Sequence, residues 1–330
     1  MSLISALFHR WGPPLLAQSQ GSFWMPEQGS TYASEVDSIF YFIFWVSLFF
    51  FVLVVGLMIL FVLRYRRRAE NEAVALSPHH STRLEMTWSL IPLALVIVMF
   101  VVGFRSYLKL SLTPRDAYEV QVTAQKWSWQ FTYPNGHVDG VLHVPAGSPV
   151  RLVMRSEDVI HSFFVPDFRI KKDVVPGRYS KVWFNAPEPG EHVVLCAEYC
   201  GTSHSDMQSM VVVHTPEDFA KWLESASGML DKLPPAEAGA LLVKSRGCVQ
   251  CHTADGAPSV GPSFLGIFGE ESALREGGPI LVDEEYIRES ILAPQAKVVA
   301  GFEPVMPTFQ GRISDQEITV IIEYIKSLSR

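Results

Sequence analysis

The sequence has few cysteines and a deficit of positive charge, and each shortage excludes a class of protein. Only four cysteines occur among 330 residues, and they are confined to two short motifs at positions 196 and 200 and at positions 248 and 251. A disulfide framework spread over the chain is therefore not expected. Acidic residues outnumber basic ones, 34 to 27, for a formal net charge of -7. Because a nucleic-acid-binding protein needs a basic face, no nucleic-acid partner is expected.

Charge is missing altogether from residues 39–63, IFYFIFWVSLFFFVLVVGLMILFVL. This run is long enough to span a bilayer with a hydrocarbon core of ~30 Å. Four arginines follow at once and mark the cytoplasmic end of the span: Arg64, Arg66, Arg67 and Arg68. A second run, residues 86–104, carries Pro92, which neighbouring helices tolerate inside membranes. We therefore predict an N-terminal extramembrane segment, 1–36, and a transmembrane hairpin, 37–105, with the rest of the chain in the periplasm or its equivalent.

From residue 118 to residue 214 the apolar residues recur with period two, in short runs separated by Pro and Gly. The run VQVTAQKWSWQFTYP is interpreted as the first strand, and Asn135-Gly136 after it as a tight turn. This pattern predicts an all-β sandwich of about one hundred residues. Thr215-Pro216-Glu217-Asp218 then predicts the start of a short helix that ends near Gly228. The sandwich domain is placed at 106–225, and a linker at 226–235.

One loop near the end of the sandwich carries four metal-binding side chains within the segment VVLCAEYCGTSHSDMQSM. Cys196, Cys200, His204 and Met207 follow one another at spacings of four, four and three, and His161 precedes them in DVIHSFFVP. The alternatives are a disulfide between the cysteines or a structural Cys2His2 zinc site. A disulfide would leave two histidines and a methionine without a role, and zinc rarely binds a thioether. The soft ligand set therefore favours copper.

The segment Cys248-Val249-Gln250-Cys251-His252 is a C-x-x-C-H motif. It is typical of covalent c-type haem attachment, in which two thiols add to the vinyl groups and the histidine binds iron. C-x-x-C alone could also be redox-active or metal-binding. Met306 is the only methionine after the motif, and it is the candidate sixth ligand, because a His/Met pair suits an electron-transfer haem.

The surroundings of this motif favour the haem. A helical pattern with Ala238, Leu241 and Leu242 on one face leads into it, and Ser314-x-x-Glu317 predicts a capping box before a second helix. The two helices flank about 60 residues of loop, which would be unusual unless a haem served as their core. We predict an all-α cytochrome c domain over 236–330.

The copper loop resembles the dinuclear CuA site of cytochrome c oxidase subunit II, whose pattern C-x-E-x-C-x3-H-x2-M is met here with Glu198 at its third position. The resemblance implies a cupredoxin fold and two copper ions bridged by both cysteine sulfurs. It implies that His161 and Met207 bind one copper, and that His204 and the Glu198 backbone carbonyl bind the other. The Glu198 carboxylate would face a magnesium ion at the boundary with the catalytic subunit.

Two further residues acquire roles from this resemblance. Trp127 lies two residues before Trp129 and could simply pack the sandwich core with it. The resemblance implies that electrons enter the copper site over Trp127, although the family context Gln-Trp-Tyr-Trp reads Lys126-Trp127-Ser128-Trp129 here. Glu85, at the start of the second span, could lie among headgroups or pair with Arg83. In the family pattern Glu85-x-x-Trp88-x3-Pro92, this glutamate marks the entrance of a proton-uptake route.

The remaining histidines of the sandwich are interpreted as structural or solvent-facing. They are single in the sequence, without partners at ligand spacing: His137, His143, His192 and His214.

The C-terminal region resembles class I cytochromes c, in which a proline matching Pro262 orients the haem histidine. The whole chain therefore resembles a multidomain membrane protein: a two-helix transmembrane hairpin, an all-β cupredoxin-like sandwich and an all-α class I cytochrome c domain. The resemblance implies an electron-transfer subunit of a terminal haem-copper oxidase in the bacterial inner membrane, with its copper and haem domains on the periplasmic side. Haem c would pass electrons to CuA and on to a catalytic subunit that reduces oxygen to water, coupled to proton translocation.

The partners implied are the oxidase subunit I, other oxidase subunits and an upstream donor, either a quinol-oxidising complex or a soluble redox protein. Two rival functions are less consistent with the sequence. Nitrous-oxide reduction would require a large additional domain with a histidine-rich cluster. A periplasmic copper chaperone would need neither a covalent haem nor a double-span anchor.

Overall fold

A computed structural model of the chain describes residues 21–66, 80–226 and 232–329. Several predicted features lie partly outside these residues. They are positions 1–20 of the N-terminal segment, positions 67–79 of the hairpin with Arg67 and Arg68, positions 227–231 of the linker with the helix end near Gly228, and position 330 of the cytochrome c domain. The chain divides into two compact units. The first contains two long helices, and the second contains a β-sandwich and a C-terminal helical region, here residues 232–329.

The first unit consists of helix α1, Ala33–Tyr65, and helix α2, Thr82–Ser111. Over the described residues these are the two helices long and apolar enough to cross a membrane, with mean hydropathies of 3.1 and 2.3 over their most apolar windows. Both extend beyond the uncharged runs of the sequence. A helix of 30 residues is about 45 Å long, which spans the headgroup regions as well as the hydrocarbon core. Lys109 Nζ lies 2.6 Å from Glu35 Oε2 and joins the two helices.

The predicted sandwich is present, and it consists of ten strands. They are β1 Tyr118–Gln125, β2 Ser128–Thr132, β3 Val138–Asp139, β4 Leu142–Pro145, β5 Pro149–Ser156, β6 His161–Val165, β7 Ile170–Val174, β8 Ser180–Asn185, β9 Gly190–Cys196 and β10 Gln208–His214. Their order is β3-β2-β1-β5-β8 in one sheet and β4-β10-β9-β6-β7 in the other. Alternate residues point inward, so that Val150, Leu152 and Met154 of β5 are buried while their neighbours are less so. The copper loop joins β9 to β10.

The predicted first strand is wrong in one respect. Its alternating pattern reads as one continuous strand, whereas the chain turns back at Lys126-Trp127 and separates β1 from β2. Gln125 pairs with Ser128 across this turn. Trp127 therefore lies at the tip of a hairpin and does not share a strand face with Trp129. Periodicity alone cannot reveal such a turn, because the register on both sides keeps the same alternation.

The C-terminal region contains helices α4, Pro235–Ser245, α5, Glu284–Leu292, and α6, Asp315–Ser327, after the sandwich has ended in α3, Pro216–Ala226. The capping box predicted at Ser314 and Glu317 is present. Helix α5 and a small sheet, β11 Glu271–Ser272 with β12 Ile280–Leu281, occupy the stretch predicted as one long loop. The signal for α5 was in the sequence: Asp283 caps it by accepting a hydrogen bond from Tyr286 N at 2.8 Å, and Ile287 and Ile291 are buried on its inner face.

Helices α4 and α6 approach closely at Gly239. A Cβ on this residue would lie 2.0 Å from the Val320 carbonyl oxygen and 2.7 Å from Tyr324 Cβ. Backbone cannot move out of the way as a flexible side chain can, so only glycine fits here.

We predict that Gly239→Ala destabilises the C-terminal region by about 1–3 kcal/mol, the cost typical of overpacking. This outcome opposes helix propensity, by which alanine should stabilise by about 1 kcal/mol. Thermal unfolding of the full chain in detergent, followed by circular dichroism, measures the effect. Gly278→Ala is the matched control, since nothing lies within 4 Å of its Cβ position. An unchanged transition in Gly239→Ala would show that the helices can separate without cost.

Candidate copper centre and haem pocket

The copper loop gathers its predicted ligands because two neighbouring strands deliver them to the same end of the sandwich. Strands β6 and β9 pair with Phe163 opposite Cys196, so His161 of β6 lies beside the end of β9. The chain then bends at Gly201, with φ of 126°, and forms a short 3₁₀-helix, His204–Asp206, before β10 begins. The loop thus returns toward its own first residue.

The ligand atoms converge within this loop. Cys196 Sγ lies 3.8 Å from Cys200 Sγ, 3.9 Å from His161 Nδ1 and 3.3 Å from the Glu198 carbonyl oxygen. Cys200 Sγ lies 3.5 Å from His204 Nδ1 and 3.8 Å from Met207 Sδ. His161 and Met207 are both fully buried. All six predicted residues are therefore brought together at one place.

These separations fit metal ligation and do not fit a disulfide. A disulfide requires its sulfurs about 2.05 Å apart, and the two cysteines are free thiols here. Two atoms that bind one ion at ~2.0–2.3 Å lie about 3–4.5 Å from each other, which is the range observed. The thioether and thiolate donors select copper among the common metals.

Electrostatics at the two thiols also calls for a cation. Burial alone would raise the pKa of Cys196, but hydrogen bonds with His161 and with backbone groups of Ser162 and Glu198 lower the pKa to about 6. Burial and the neighbouring Cys196 sulfur raise the pKa of Cys200. The pair therefore takes one negative charge readily and resists the second. A positive ion between the sulfurs would remove that penalty.

Asp158 orients His161, the buried histidine of strand β6. Its Oδ1 atom lies 2.8 Å from His161 Nε2, which leaves Nδ1 facing the cysteines. Burial alone would lower the pKa of His161, but Asp158 and Cys196 outweigh it and raise the pKa. A carboxylate that holds the distal nitrogen of a ligand histidine is a common device in metal sites. The same carboxylate accepts the Lys126 backbone N–H at 2.8 Å and so ties the histidine to the β1–β2 turn.

A large, mainly apolar cavity lies at the C-x-x-C-H motif. Its volume is about 1340 Å³, including its open mouth, and its lining includes Cys248, Cys251, His252 and Met306. All four residues predicted to hold haem therefore face one space. Two helices contribute to its walls, α5 through Ile287 and Ile291 and α6 through Ile321 and Ile325.

His252 is held with one nitrogen committed. Its Nδ1 donates to the Pro262 carbonyl oxygen at 2.7 Å, and its ring stacks on Phe264 with centroids 4.8 Å apart. Because a carbonyl can only accept, Nδ1 carries the proton and Nε2 is left with the lone pair that iron needs. Gly261 is required beside it, since a Cβ there would lie 2.6 Å from the imidazole. The predicted orienting contact from Pro262 is thus present.

Met306 is positioned by its loop. Gln295 donates through Nε2 to the Pro304 carbonyl at 3.0 Å and to the Met306 carbonyl at 3.2 Å. The Met306 thioether lies 3.9 Å from Ser290 Oγ. The residues around the cavity therefore fit a haem with histidine and methionine ligands.

Trp127 lies between the two sites. It is 4% exposed, it lines the haem cavity, and its indole would be 3.1 Å from a Cβ on Gly201, the residue after Cys200. Trp129 instead packs in the sandwich core against Phe163, with ring centroids 5.4 Å apart. Both tryptophans therefore belong to the buried core of the sandwich, and Trp127 in addition borders the haem cavity.

None of the four remaining sandwich histidines reaches the copper loop, but three of them are not single. His143 Nδ1 lies 2.8 Å from His214 Nε2, and His137 and His143 lie 3.6 and 3.9 Å from Asp139 Oδ2. Trp222 stacks on His143 at 4.2 Å. Burial lowers the pKa of His143 to about 4. The sequence could not reveal this cluster, because strands far apart in the chain assemble it. The fourth, His192, pairs separately with Asp167 at 2.8 Å.

Comparison with known protein families matches three successive parts of the chain. Residues 18–108 match the transmembrane domain of cytochrome c oxidase subunit II, and residues 119–215 match the periplasmic domain of the same protein. Residues 236–329 match cytochrome c. The predicted fold class is therefore confirmed: a helical hairpin, a cupredoxin-like sandwich and a cytochrome c domain.

Individual relatives cover most of the chain between them. Cytochrome c oxidase subunit 2 of Synechocystis is 32% identical over 247 residues, which is 60% of this chain and 74% of the relative. The protein of the same name from Alkalihalophilus pseudofirmus is 28% identical over 288 residues, 84% of this chain and 82% of the relative.

Among solved structures, the periplasmic domain of subunit II of the Bradyrhizobium japonicum cytochrome oxidase is 29% identical, with a TM-score of 0.34, over 35% of this chain and 96% of that one. Cytochrome c oxidase subunit 2 of Thermostichus vulcanus is 33% identical and is covered over 80% of its length. The family matches add that this is a membrane protein with a periplasmic domain and that CuA copper and haem are its cofactors. The chain belongs to the cytochrome c oxidase subunit II family, with a cytochrome c domain at its C-terminal end.

Proposed function

We propose that this chain takes up electrons at a covalently attached haem c and passes them through a dinuclear CuA centre to the subunit that reduces oxygen. The observation that carries the proposal is the position of Trp127, which lines the haem cavity and lies against Gly201 in the copper loop. One side chain thereby contacts the surroundings of both redox sites. Oxygen reduction takes place in the partner subunit I, coupled to proton translocation.

The resemblance implies how the copper ligands divide between two ions. His161 and Met207 would hold one ion, and His204 and the Glu198 carbonyl the other, with both cysteine sulfurs shared between them. The centre supplies reversible one-electron transfer when its ions are bound. The protein supplies burial and fixed donor atoms, so that little rearrangement accompanies a change of charge. The Glu198 side chain is exposed and is free to face magnesium at the boundary with subunit I.

At the second site, Cys248 and Cys251 would form thioether links to haem, and His252 and Met306 would be its axial ligands. Burial raises the pKa of both thiols, and for Cys251 the Asp206 carboxylate of the copper loop raises it further. Asp206 lies in the sequence between His204 and Met207, and Cys251 packs against the part of the sandwich core that contains Cys200 and Met207. This proximity favours direct transfer between the sites.

The two apolar helices and the family likeness support a proposal for how the chain is held in its complex. The two apolar helices anchor it in the bacterial inner membrane beside subunit I, with the copper and haem sites on the periplasmic side. The domain limits proposed from the sequence, 106–225 for the sandwich and 236–330 for the cytochrome, divide it between the two cofactors. The donor to haem c is a quinol-oxidising complex or a soluble redox protein.

The direct test of this function is the metal content of the full chain purified in detergent. We expect two coppers and one haem iron per chain, with a mixed-valence copper signal in electron paramagnetic resonance. Rapid reduction of the haem should be followed by reduction of copper. Stoichiometric zinc without copper, or copper that stays oxidised while the haem is reduced, would contradict the proposal.

Met306→Leu should lower the reduction potential of the haem, because a thioether ligand raises it. Leucine roughly conserves volume, so the fold should be kept. The sulfur-to-iron absorption band of the oxidised protein should disappear, as measured by optical redox titration. Met210→Leu, in strand β10, is the control and should change neither quantity. Survival of the band in Met306→Leu would show that the sixth ligand is another residue.

Glu85→Ala should slow turnover of the assembled oxidase by retarding proton uptake, while haem and copper loading stay normal. Glu85 lies in the first turn of α2, where its Oε1 atom is 2.7 Å from His80 Nδ1. Its side chain is 43% exposed, so protons can reach the carboxylate. Oxygen consumption across the pH range, together with haem-to-copper transfer, measures the two effects separately. Glu85→Asp, which keeps the carboxylate, should retain more activity. Full turnover of Glu85→Ala at every pH would make Glu85 a headgroup-level residue.

A further inference from the structure

The haem cavity is not enclosed by the C-terminal region alone. Four consecutive residues of the sandwich, Gln125 to Ser128 at the β1–β2 turn, line it together with the C-x-x-C-H motif. In return, Cys251 and Val260 of the C-terminal region pack against the buried core of the sandwich. The wall of the cavity nearest the copper loop is therefore built by the sandwich, and its shape depends on how the C-terminal region is held there.

Uncharged contacts bring the two surfaces together just before the haem motif. A Cβ on Gly247 would lie 2.8 Å from Ser128 Cβ, and Gly247 has φ of 76°, so glycine is required on both counts. Gln130 Nε2 donates to the Arg246 carbonyl at 3.4 Å. These contacts allow a close approach, but neither of them involves a charged side chain, and the amide hydrogen bond is long.

Arg312 supplies a charged contact at a second point. Its Nη2 atom lies 2.9 Å from Glu157 Oε2, and its Nη1 donates to Gln125 Oε1. Both carboxylate and guanidinium are about three-quarters buried, with exposed fractions of 25% and 24%. Gln125 is itself 2% exposed and is the last residue of β1. A planar guanidinium that binds two acceptors at once restrains direction as well as distance.

The two acceptors of Arg312 flank a network that connects the sites. Gln125 lies two residues before Trp127, and Glu157 directly precedes Asp158. Asp158 in turn accepts from the Lys126 backbone and holds His161. The guanidinium therefore binds the last residue of β1 and the residue before Asp158, both next to the segment that carries Trp127.

We propose that Arg312 is a positioning residue for electron transfer from haem c to the copper centre. By binding Glu157 and Gln125, it holds the C-terminal region against the β1–β2 turn, so that Trp127 stays in the wall of the haem cavity. Electron transfer rates fall steeply as the gap between donor and acceptor widens, so a loss of this restraint slows transfer without altering either cofactor. The inference rests on the proposed function, because it assumes that the haem reduces the copper.

The test is the rate of haem-to-copper transfer in the full chain loaded with both cofactors, after photochemical reduction of the haem. Arg312→Ala should slow the transfer roughly tenfold, in keeping with the sensitivity of positioned reactions to small displacements. Glu157→Gln should also slow the transfer, and because this substitution lies in the sandwich, it leaves the sequence of the C-terminal region unaltered. The optical spectrum of the haem, its reduction potential and the copper resonance signal should stay as in the unaltered chain.

Arg288→Ala is the matched control. Arg288 also makes an ion pair, with Asp315 Oδ1 at 3.1 Å, but both partners belong to the C-terminal region. This variant should transfer electrons at the unaltered rate. Arg155 Nη2 lies 3.0 Å from Glu157 Oε1 and would repel an arginine there, so the charge swap is made in a chain that also carries Arg155→Ala. In that chain, Arg312→Glu with Glu157→Arg should recover part of the rate lost in Arg312→Glu alone, which general damage to the fold would not produce.

Unaltered rates in both Arg312→Ala and Glu157→Gln would overturn the inference. If Arg312→Ala fails to load a cofactor, Glu157→Gln and the charge-swapped pair decide the question. An unaltered chain in which reduced haem does not reduce the copper would instead remove the proposed function. That result is distinguishable, because it requires no variant.

Discussion

The structure depends most on the requirement to hold two buried thiols side by side. Their sulfurs are 3.8 Å apart, and neither can lose its proton freely while the other is charged. The sandwich meets this requirement from several directions: β9 ends at the first cysteine, β6 brings in a buried histidine, and the turn at Gly201 brings back the second half of the loop. Each metal-binding side chain is thus positioned by the packing of its own backbone segment. Metal binding therefore requires little rearrangement of the loop.

In the C-terminal region, too, the backbone positions the predicted ligands before any cofactor is bound. Its helices α5 and α6, the haem motif and the neighbouring loops line a cavity that they do not fill with side chains, and a group of the size of haem would complete their core. Two residues beside His252 fix the position and the protonation of its ring. Gly261 makes room for the imidazole, and the Pro262 carbonyl fixes which nitrogen is protonated. The ligand face of the histidine therefore follows from local backbone geometry.

The two sites meet at one hairpin tip, which is why this chain differs from a sandwich and a cytochrome joined only by a linker. The tip contributes Trp127 to the haem cavity, and Asp158 binds both the tip and His161 of strand β6. Arg312 of the C-terminal region binds Gln125, the last residue of β1, and Glu157, the residue before Asp158. Since salt bridges of this kind add little to stability unless they are well buried and well aligned, the value of this one lies in geometry rather than in folding energy.

Much of this molecule could be predicted from its sequence, because short-range patterns carry the information. Ligand spacing in the copper loop, the C-x-x-C-H motif, the capping box at Ser314 and the two uncharged runs are all local signals. The sandwich is predicted where apolar and polar residues alternate. Helix α5 is not predicted, although Asp283 is a suitable N-cap and the helix has an apolar face. The turn at Lys126-Trp127 was missed because the same alternation continues on both sides of it.

What only the tertiary structure decided are the contacts between segments far apart in the chain. Arg312 and Gln125 are separated by 187 positions, and His143 and His214 by 71; no spacing in the sequence relates them. Likewise, the sequence could propose either a packing or a redox role for Trp127 and Trp129, and it was the hairpin that turned one toward the haem cavity and the other into the core. Composition and spacing determine which chemistry a segment can perform. The packing of the sheets and helices determines which segments share it, because only burial against a common core brings them within bonding distance.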